Sequence, residues 1–331
     1  MRTWFLVVVA LVGCGEHGQG GPDAQMEGAP DGVVDAGPMA TGAHHRYVVS
    51  HERVPTNNNQ AREFGLDLNG DKTVDNQLGM VLGTLSSMGF NIQVTTESLV
   101  DRGGLLMLLD VQADDFTAMT NAGVTVYKGA TPTPTPCQTA GDTVCRRHLT
   151  GSGMFTVPAA SAHDVPLVGA IVGGTLLTTS TSGKLHVQFV FSDGPSPPIE
   201  LELIGARIKA SGLSATAIRM ANLAGAISET EIHAKLTPGI QASFAAAVRR
   251  DCTALTAPPG CGCLSNSTGK LAVDLFDGDL NGTQKDCVIS LAEVEGSSLI
   301  QSLLAPDLTI NGVNALSLGL QVDAVAAKFT P

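Results

Sequence analysis

Aromatic side chains are scarce in this sequence: ten Phe, two Tyr and one Trp make up 4% of 331 residues. A core must therefore be built from aliphatic and small side chains, among 38 glycines. Basic residues are also few, with 19 Lys and Arg against 31 Asp and Glu and a net charge of −12. That balance argues against nucleic acid, and against an anionic membrane surface, as a partner. Beyond residue 14 no stretch approaches about 18 uninterrupted apolar residues, so no later helix is expected to span a bilayer. Catalytic signatures are missing too: there is no G-x-S-x-G elbow, H-E-x-x-H helix or Walker loop. Ser161, His163 and Asp164 are neighbours in sequence, which does not make a triad, and they read as a polar turn. Arg207 and Lys209 flank Ile208 and read as the solvated face of a strand.

The N-terminus carries the clearest signal. Arg2 precedes an apolar run from Trp4 to Val12, and Gly13 and Cys14 end it. This is the layout of an export signal, too short for a spanning helix. Leu11-Val12-Gly13-Cys14 resembles a bacterial lipobox. The resemblance implies cleavage before Cys14, acylation of its thiol and attachment to a membrane through lipid. Gly15 stands where an aspartate resembles an inner-membrane retention signal, so the outer membrane is the expected location.

With Cys14 lipidated, six cysteines remain, an even number suited to disulfides in an oxidising compartment. Cys137 and Cys145 lie close together and far from the others, and are expected to pair. Cys252, Cys261, Cys263 and Cys287 allow three pairings, or a structural zinc site, although the usual paired knuckles are absent.

Composition divides the chain into five segments. Residues 1–14 form the signal. Residues 15–45 have no Lys or Arg and read as a disordered tether ending at His44 and His45. Residues 46–130 read as a small α+β module. It has a helix through Leu78, Val81, Leu82, Leu85 and Met88, and strands at Phe90–Val94, Leu105–Leu109 and Val124–Tyr127. Residues 131–149 combine a Thr-Pro spacer with the Cys137–Cys145 loop. Residues 150–331 read as β. Leu185–Phe191 and Ile199–Leu203 alternate as a hairpin, with a bulge or corner near Gly205. Ile240, Phe244, Ala247 and Val248 mark a helix, and Leu316–Val322 a last strand closing a sheet. The expected fold is mainly β, an antiparallel sandwich or open barrel, with EF-hand-like loop–helix segments.

Two segments carry metal-ligand chemistry. Ca²⁺ takes about six to eight oxygen ligands, and carboxylates at alternate loop positions converge on one ion. Asp67, Asn69, Asp71 and Asp75 occupy positions 1, 3, 5 and 9 of an EF-hand-type loop, and Thr73 offers its carbonyl at position 7. Val74 falls where such a loop turns an apolar side chain inward. Lys72 replaces the usual glycine and Leu78 the usual glutamate. The pattern thus resembles the shorter calcium loops of dockerin and thrombospondin type 3 repeats. A second loop offers Asp277, Asp279 and Asn281 at its front and Ile289, Ser290 and Glu293 at its exit, around an insertion in which Asp286 is an alternative ligand. Cys287 is expected to brace it.

The layout resembles a group of myxobacterial lipoproteins. The likeness rests on Cys14, on Phe64–Gly79 and on Ser298–Asp307. It implies a location and calcium binding, and no activity. The expected function is that of a lipid-anchored envelope module that binds Ca²⁺ structurally and contacts a surface partner. An envelope hydrolase assembled from distant residues and a barrel carrying an apolar ligand are the alternatives.

Overall fold

The computed structural model describes residues 40–331 except 88, 140, 180–181, 192–197, 255–260 and 279–284. Cys14 and residues 15–39 of the expected tether lie outside them. The chain begins with β1 (Ala43–Arg53), so His44 and His45 belong to a strand, and His44 Nδ1 lies 3.0 Å from Asp110 Oδ1. Three helices follow: α1 (Asn58–Phe64), α2 (Gln77–Ser87) and α3 (Ile92–Arg102). The second buries Leu78, Val81, Leu82 and Leu85, the stripe that its spacing specifies. The third is a correction, because Phe90–Val94 was expected to be a strand. Phe90 and Ile92 alternate like a strand and are both buried, but Val94 is 65% exposed, and Thr95 N–H donates to Asn91 O as a helix begins.

Next come β2 (Met107–Ala113), β3 (Thr120–Lys128), β4 (Ala130–Thr133), β5 (Met154–Thr156), β6 (Leu167–Val172), β7 (Thr175–Thr178), β8 (Lys184–Phe189), β9 (Ile199–Leu213) and β10 (Ala217–Ser228). A short helix α4 (Glu229–Glu231) and a wide helical turn, Ile232–Leu236, lead into α5 (Thr237–Asp251). Then follow α6 (Thr268–Phe276), α7 (Leu291–Gly296), α8 (Ser298–Leu303), β11 (Leu308–Ile310) and β12 (Val313–Ala326).

Eight strands close on themselves in the order β1, β2, β3, β6, β7, β9, β10, β12, and β12 returns to β1, all antiparallel. The mainly β expectation holds, and the pairing of first strand with last makes the architecture a barrel. Alternation explains the inside: Leu316, Leu318, Leu320 and Val322 of β12 join Tyr47, Leu109, Val124, Ile171, Leu176, Leu201 and Leu223 in one contiguous buried cluster. At Gly205, in the left-handed region at φ 58°, β9 changes partner. Its first half pairs with β8, Phe189 opposite Ile199, and its second half pairs with β7. The bulge expected there is this corner.

The exterior is covered in places. Small outward residues on β12 let helices approach: a Cβ on Gly319 would stand 2.7 Å from Phe64 O and 2.8 Å from Gly65 Cα. A second cluster packs Val100, Leu105, Leu149, Phe155 and Phe329 against Val48 and Leu108. A third sets Leu68 and Ile310 against Ala224 and Ala226. Residues Gly37–Pro331 form one compact unit. The segments 46–130 and 150–331 contribute strands to one sheet, since β1 pairs with β12, and β3 with β6, to complete its hydrogen bonding. The Thr-Pro spacer is part of this body. It forms β4, which pairs with β5, and its Pro132 and Pro136 lie beside Gly103.

Candidate metal centre

The second loop is built on α6. This helix packs on α5 with Phe244 and Phe276 stacked at 4.7 Å between centroids. A Cβ on Gly269 would stand 2.6 Å from Ala247 O, so glycine sets how closely the two helices cross. Where α6 ends, Asp277 turns inward and is 4% exposed. Its Oδ1 accepts Asp286 N–H at 2.9 Å and its Oδ2 accepts Cys287 N–H at 2.8 Å. Glu293 spans the loop from the other side. Its Oε1 accepts Gly278 N–H at 3.1 Å and its Oε2 accepts Ser290 N–H at 2.7 Å, in a capping box that starts α7.

Asp277, Asp286 and Glu293 thereby bring carboxylate oxygens within 4.8 Å of one another. Burial, and after it the charges of Asp286 and Glu293, push the Asp277 carboxyl above its usual range. Three carboxylates held this close by backbone donors are costly unless a cation or protons neutralise them. An all-oxygen donor set suits a hard cation such as Ca²⁺. Ile289, the apolar residue of the loop exit, is 1% exposed, and its carbonyl accepts Gln241 Nε2–H at 2.5 Å. Asp279 and Asn281, the other expected ligands, lie outside the described residues.

All six cysteines beyond Cys14 are paired: Cys137–Cys145, Cys252–Cys263 and Cys261–Cys287. The first pair was expected, and the structure selects one of the three arrangements left open for the rest. The Cys261 sulfur lies 3.8 Å from Asp277 Oδ2. Both Cys261 and Cys287 are oxidised, so neither supplies a thiolate, and the zinc alternative for the four C-terminal cysteines is excluded. Cys261–Cys287 ties the loop to the segment after α5, as the bracing role of Cys287 requires.

The first loop is closed by an antiparallel bridge, with Asp75 N–H donating to Leu66 O at 3.0 Å. Asp67 Oδ1 and Oδ2 accept Gly70 and Lys72 N–H at 2.6 and 2.9 Å. Asn69 Oδ1 accepts Asp71 N–H at 2.9 Å, and Asp71 Oδ1 accepts Thr73 N–H at 2.6 Å. The Thr73 N–H, then the Thr73 hydroxyl and the Asn69 amide, hold the Asp71 carboxyl below its usual range. Asp75 Oδ2 accepts Leu68 N–H at 2.8 Å, and burial, then Asp71, Asp307 and Asp67, push its carboxyl up. The carboxylates of Asp67, Asp71 and Asp75 do not reach the mutual 4.8 Å range of the second loop. Val74 is 46% exposed, against the inward position expected of it, and the buried residue beneath this loop is Asn76.

Sequence reasoning missed the residues that anchor the first loop. Asn76 Nδ2–H donates to Ala61 O and Gly319 O, while its Oδ1 accepts Gly79 and Gly319 N–H. Ser317 Oγ accepts Gln77 N–H and donates to Asp307 Oδ2. Arg207, expected to be solvated, donates to Asp67 O at 2.6 Å. No local pattern reports such contacts, because their partners lie far away in sequence.

Asp164 does bond a histidine, but it is His186, which lines one cavity with Ser161. Its Nδ1 lies 2.7 Å from Asp164 Oδ2 and its Nε2 lies 3.7 Å from Glu202 Oε2. Ser161 Oγ accepts Lys128 N–H at 3.1 Å. The cavity beside these residues holds about 10 Å³, room for one water molecule and not for a substrate. No helix among the described residues is long and apolar enough to cross a membrane. Compared with known proteins, the chain matches no family model, no curated sequence and no solved structure.

Proposed function

We propose that this chain is a lipid-anchored cell-envelope protein whose Asp-rich loops bind Ca²⁺ structurally, serving as a binding module rather than an enzyme. The observation that carries the metal reading is the convergence of Asp277, Asp286 and Glu293 on one point beside the Cys261–Cys287 disulfide. A Ca²⁺ ion there relieves mutual repulsion and links the end of α6 to the start of α7. The first loop is the secondary site, with Asp67, Asn69, Asp71, Thr73 and Asp75 as its donors. The anchor reading rests on the Met1–Cys14 run, and the three disulfides agree with an oxidising compartment.

The module reading is favoured over the carrier because inward side chains of all eight barrel strands meet in one cluster, a packed core where a carrier needs a ligand chamber. Ser161 lends the hydrolase reading no support, because its Oγ serves Lys128 N–H beside a cavity of about 10 Å³.

Calorimetric titration with Ca²⁺ tests the metal reading. The wild-type chain should bind with a Kd on the order of 10⁻⁴–10⁻³ M, as extracellular modules do. Asp277→Asn should remove the heat assigned to the second loop, and Asp67→Ala that of the first. Identical titrations for wild type and both variants would refute it.

A further inference from the structure

We infer that the outer face of β6 and β7, with the adjoining stretches of β9 (residues 209–213) and β10 (residues 217–220), is a docking surface for a phospholipid bilayer with anionic headgroups, a reading that deepens the lipid-anchor proposal and rests on it. Helices and loops cover the barrel exterior over β1, β2 and β12 and over β10 from Asn222 to Ala226, as the second and third buried clusters, the Asn222–Glu63 hydrogen bond and the contacts of Gly319 show. Over β6 and β7 the outward side chains are half-buried at Val168, Ala170 and Thr175 and exposed at Val172 and Leu177. Cross-strand pairing places Ala170 opposite Leu177, and sets Val172, Thr175, Ser211 and Met220 in one row across four strands. Val172 is 56%, Leu177 46% and Met220 42% exposed. Ala170, Val172 and Leu177 are neighbours on the β6–β7 pair, and Met220 stands in the same row beyond Thr175 and Ser211; exposed apolar side chains grouped on one face mark interaction surfaces.

Charge selects the partner. The chain carries a net charge of −12, yet residues 165–179 contain no charged side chain and residues 203–228 contain no carboxylate. Lys209, across the pairing from Leu177, and Arg219, whose stem lies on Gly212, are exposed cations on this face. Apolar residues flanked by cations suit a headgroup boundary, where acyl chains take the former and phosphates the latter. The expectation from net charge, that an anionic membrane surface is disfavoured, thus does not apply to this face.

The point of chain entry selects the same side. A Cβ on Gly123 of β3 would stand 2.7 Å from the Ala40 Cβ, and Gly123 pairs with Val168 of β6. Whatever path residues 15–39 take, the chain enters the barrel beside this face. A lipid on Cys14 raises the effective concentration of bilayer there.

The test is hydroxyl-radical footprinting of the full chain on vesicles of phosphatidylcholine and phosphatidylglycerol, read by mass spectrometry, with Met220 on the face and Met154 on β5 as the reference. Oxidation of Met220 should fall at least fivefold on vesicles while that of Met154 stays constant. The double variant Val172→Asp/Leu177→Asp should lose this protection with an unchanged Tm. Lys209→Glu/Arg219→Glu should lose it only where phosphatidylglycerol is required. Acylation of Cys14 is read separately from the mass of the N-terminal peptide. An acylated, vesicle-bound chain with unprotected Met220 overturns the inference and leaves the anchor standing. Protected Met220 without acylation removes the anchor and leaves the face. Failure to bind vesicles overturns the inference, as does protection that appears in buffer with rising protein concentration, which assigns the face to a second copy of the chain.

Discussion

Replacing Glu52 with glutamine should stabilise this protein at neutral and alkaline pH and leave it unchanged in acid. Glu52 lies on β1 opposite Val322, on the inward side of the barrel, and is 0% exposed. The register shift between Val49 and His51 turns it inward, while Arg53, one residue on, pairs outside with Asp323. Neither Glu52 carboxyl oxygen has a hydrogen-bond partner. Burial pushes its pKa up from 4.5 to about 8. The folded state therefore holds a neutral acid where the unfolded chain holds an anion. An acid with a raised pKa costs nothing below the unfolded value and destabilises as pH rises toward the folded value. Each pH unit in that window is worth about 1.4 kcal/mol, so the loss from pH 4 to pH 9 is roughly 5 kcal/mol. Glutamine has the same shape and no charge at any pH. Urea unfolding of both proteins across that range gives the difference in stability, in which other titrating groups cancel. It should be near zero at pH 4, about 3 kcal/mol in favour of the variant at pH 7, and level above pH 8. Parallel curves for the two proteins would refute the buried, unpartnered carboxyl.

Two further outcomes follow from other buried polar groups. Asn76→Ala removes four hydrogen bonds that join α1, α2 and β12 and strands backbone groups inside. It should cost about 3 kcal/mol by urea midpoint, and a cost below about 1 kcal/mol would show that the helices are held by apolar contact alone. His148 is 0% exposed and burial pushes its pKa down to about 4. A base with a lowered pKa loses stability as pH falls from about 6.5 toward 4. His148→Leu should unfold less readily than wild type at pH 4 and similarly at pH 8. Equal acid midpoints would remove His148 from the acid limb.

The elements legible in the sequence are those whose large apolar residues recur with the period of the structure. In β12, β8 and the first half of β9 one face is buried continuously, so alternation shows, and α2 shows its stripe for the same reason. Phe90–Val94 misled because the turn before a helix and the first residue of that helix imitate a two-residue period. Barrel closure was illegible in detail, since Tyr47 opposite Ala326 is a contact between the two ends of the fold. In the second loop Asp277, Asp286 and Glu293, all named from the sequence, come together in space. Asp286 was named there only as an alternative, because its approach depends on Asp277 accepting the backbone N–H groups of residues 286 and 287, which no spacing rule provides. Asn76 looked like one more polar residue of an Asp-rich loop. The one available signal was the set of glycines around it, Gly65, Gly79 and Gly319, each too close to Asn76 to carry a Cβ.

Thermal unfolding of the chain after EGTA treatment, then in Ca²⁺ and in Mg²⁺, tests the central claim most directly. A ligand adds RT ln(1 + [L]/Kd) to a folded state that binds it, about 1 to 2 kcal/mol for a few millimolar Ca²⁺ at a Kd on the order of 10⁻⁴–10⁻³ M. The account predicts a higher midpoint in millimolar Ca²⁺, little change in Mg²⁺, and a smaller Ca²⁺ shift in Asp277→Asn. A midpoint equal in EGTA and Ca²⁺ would contradict it, leaving the two Asp-rich loops as hydrogen-bonded turns.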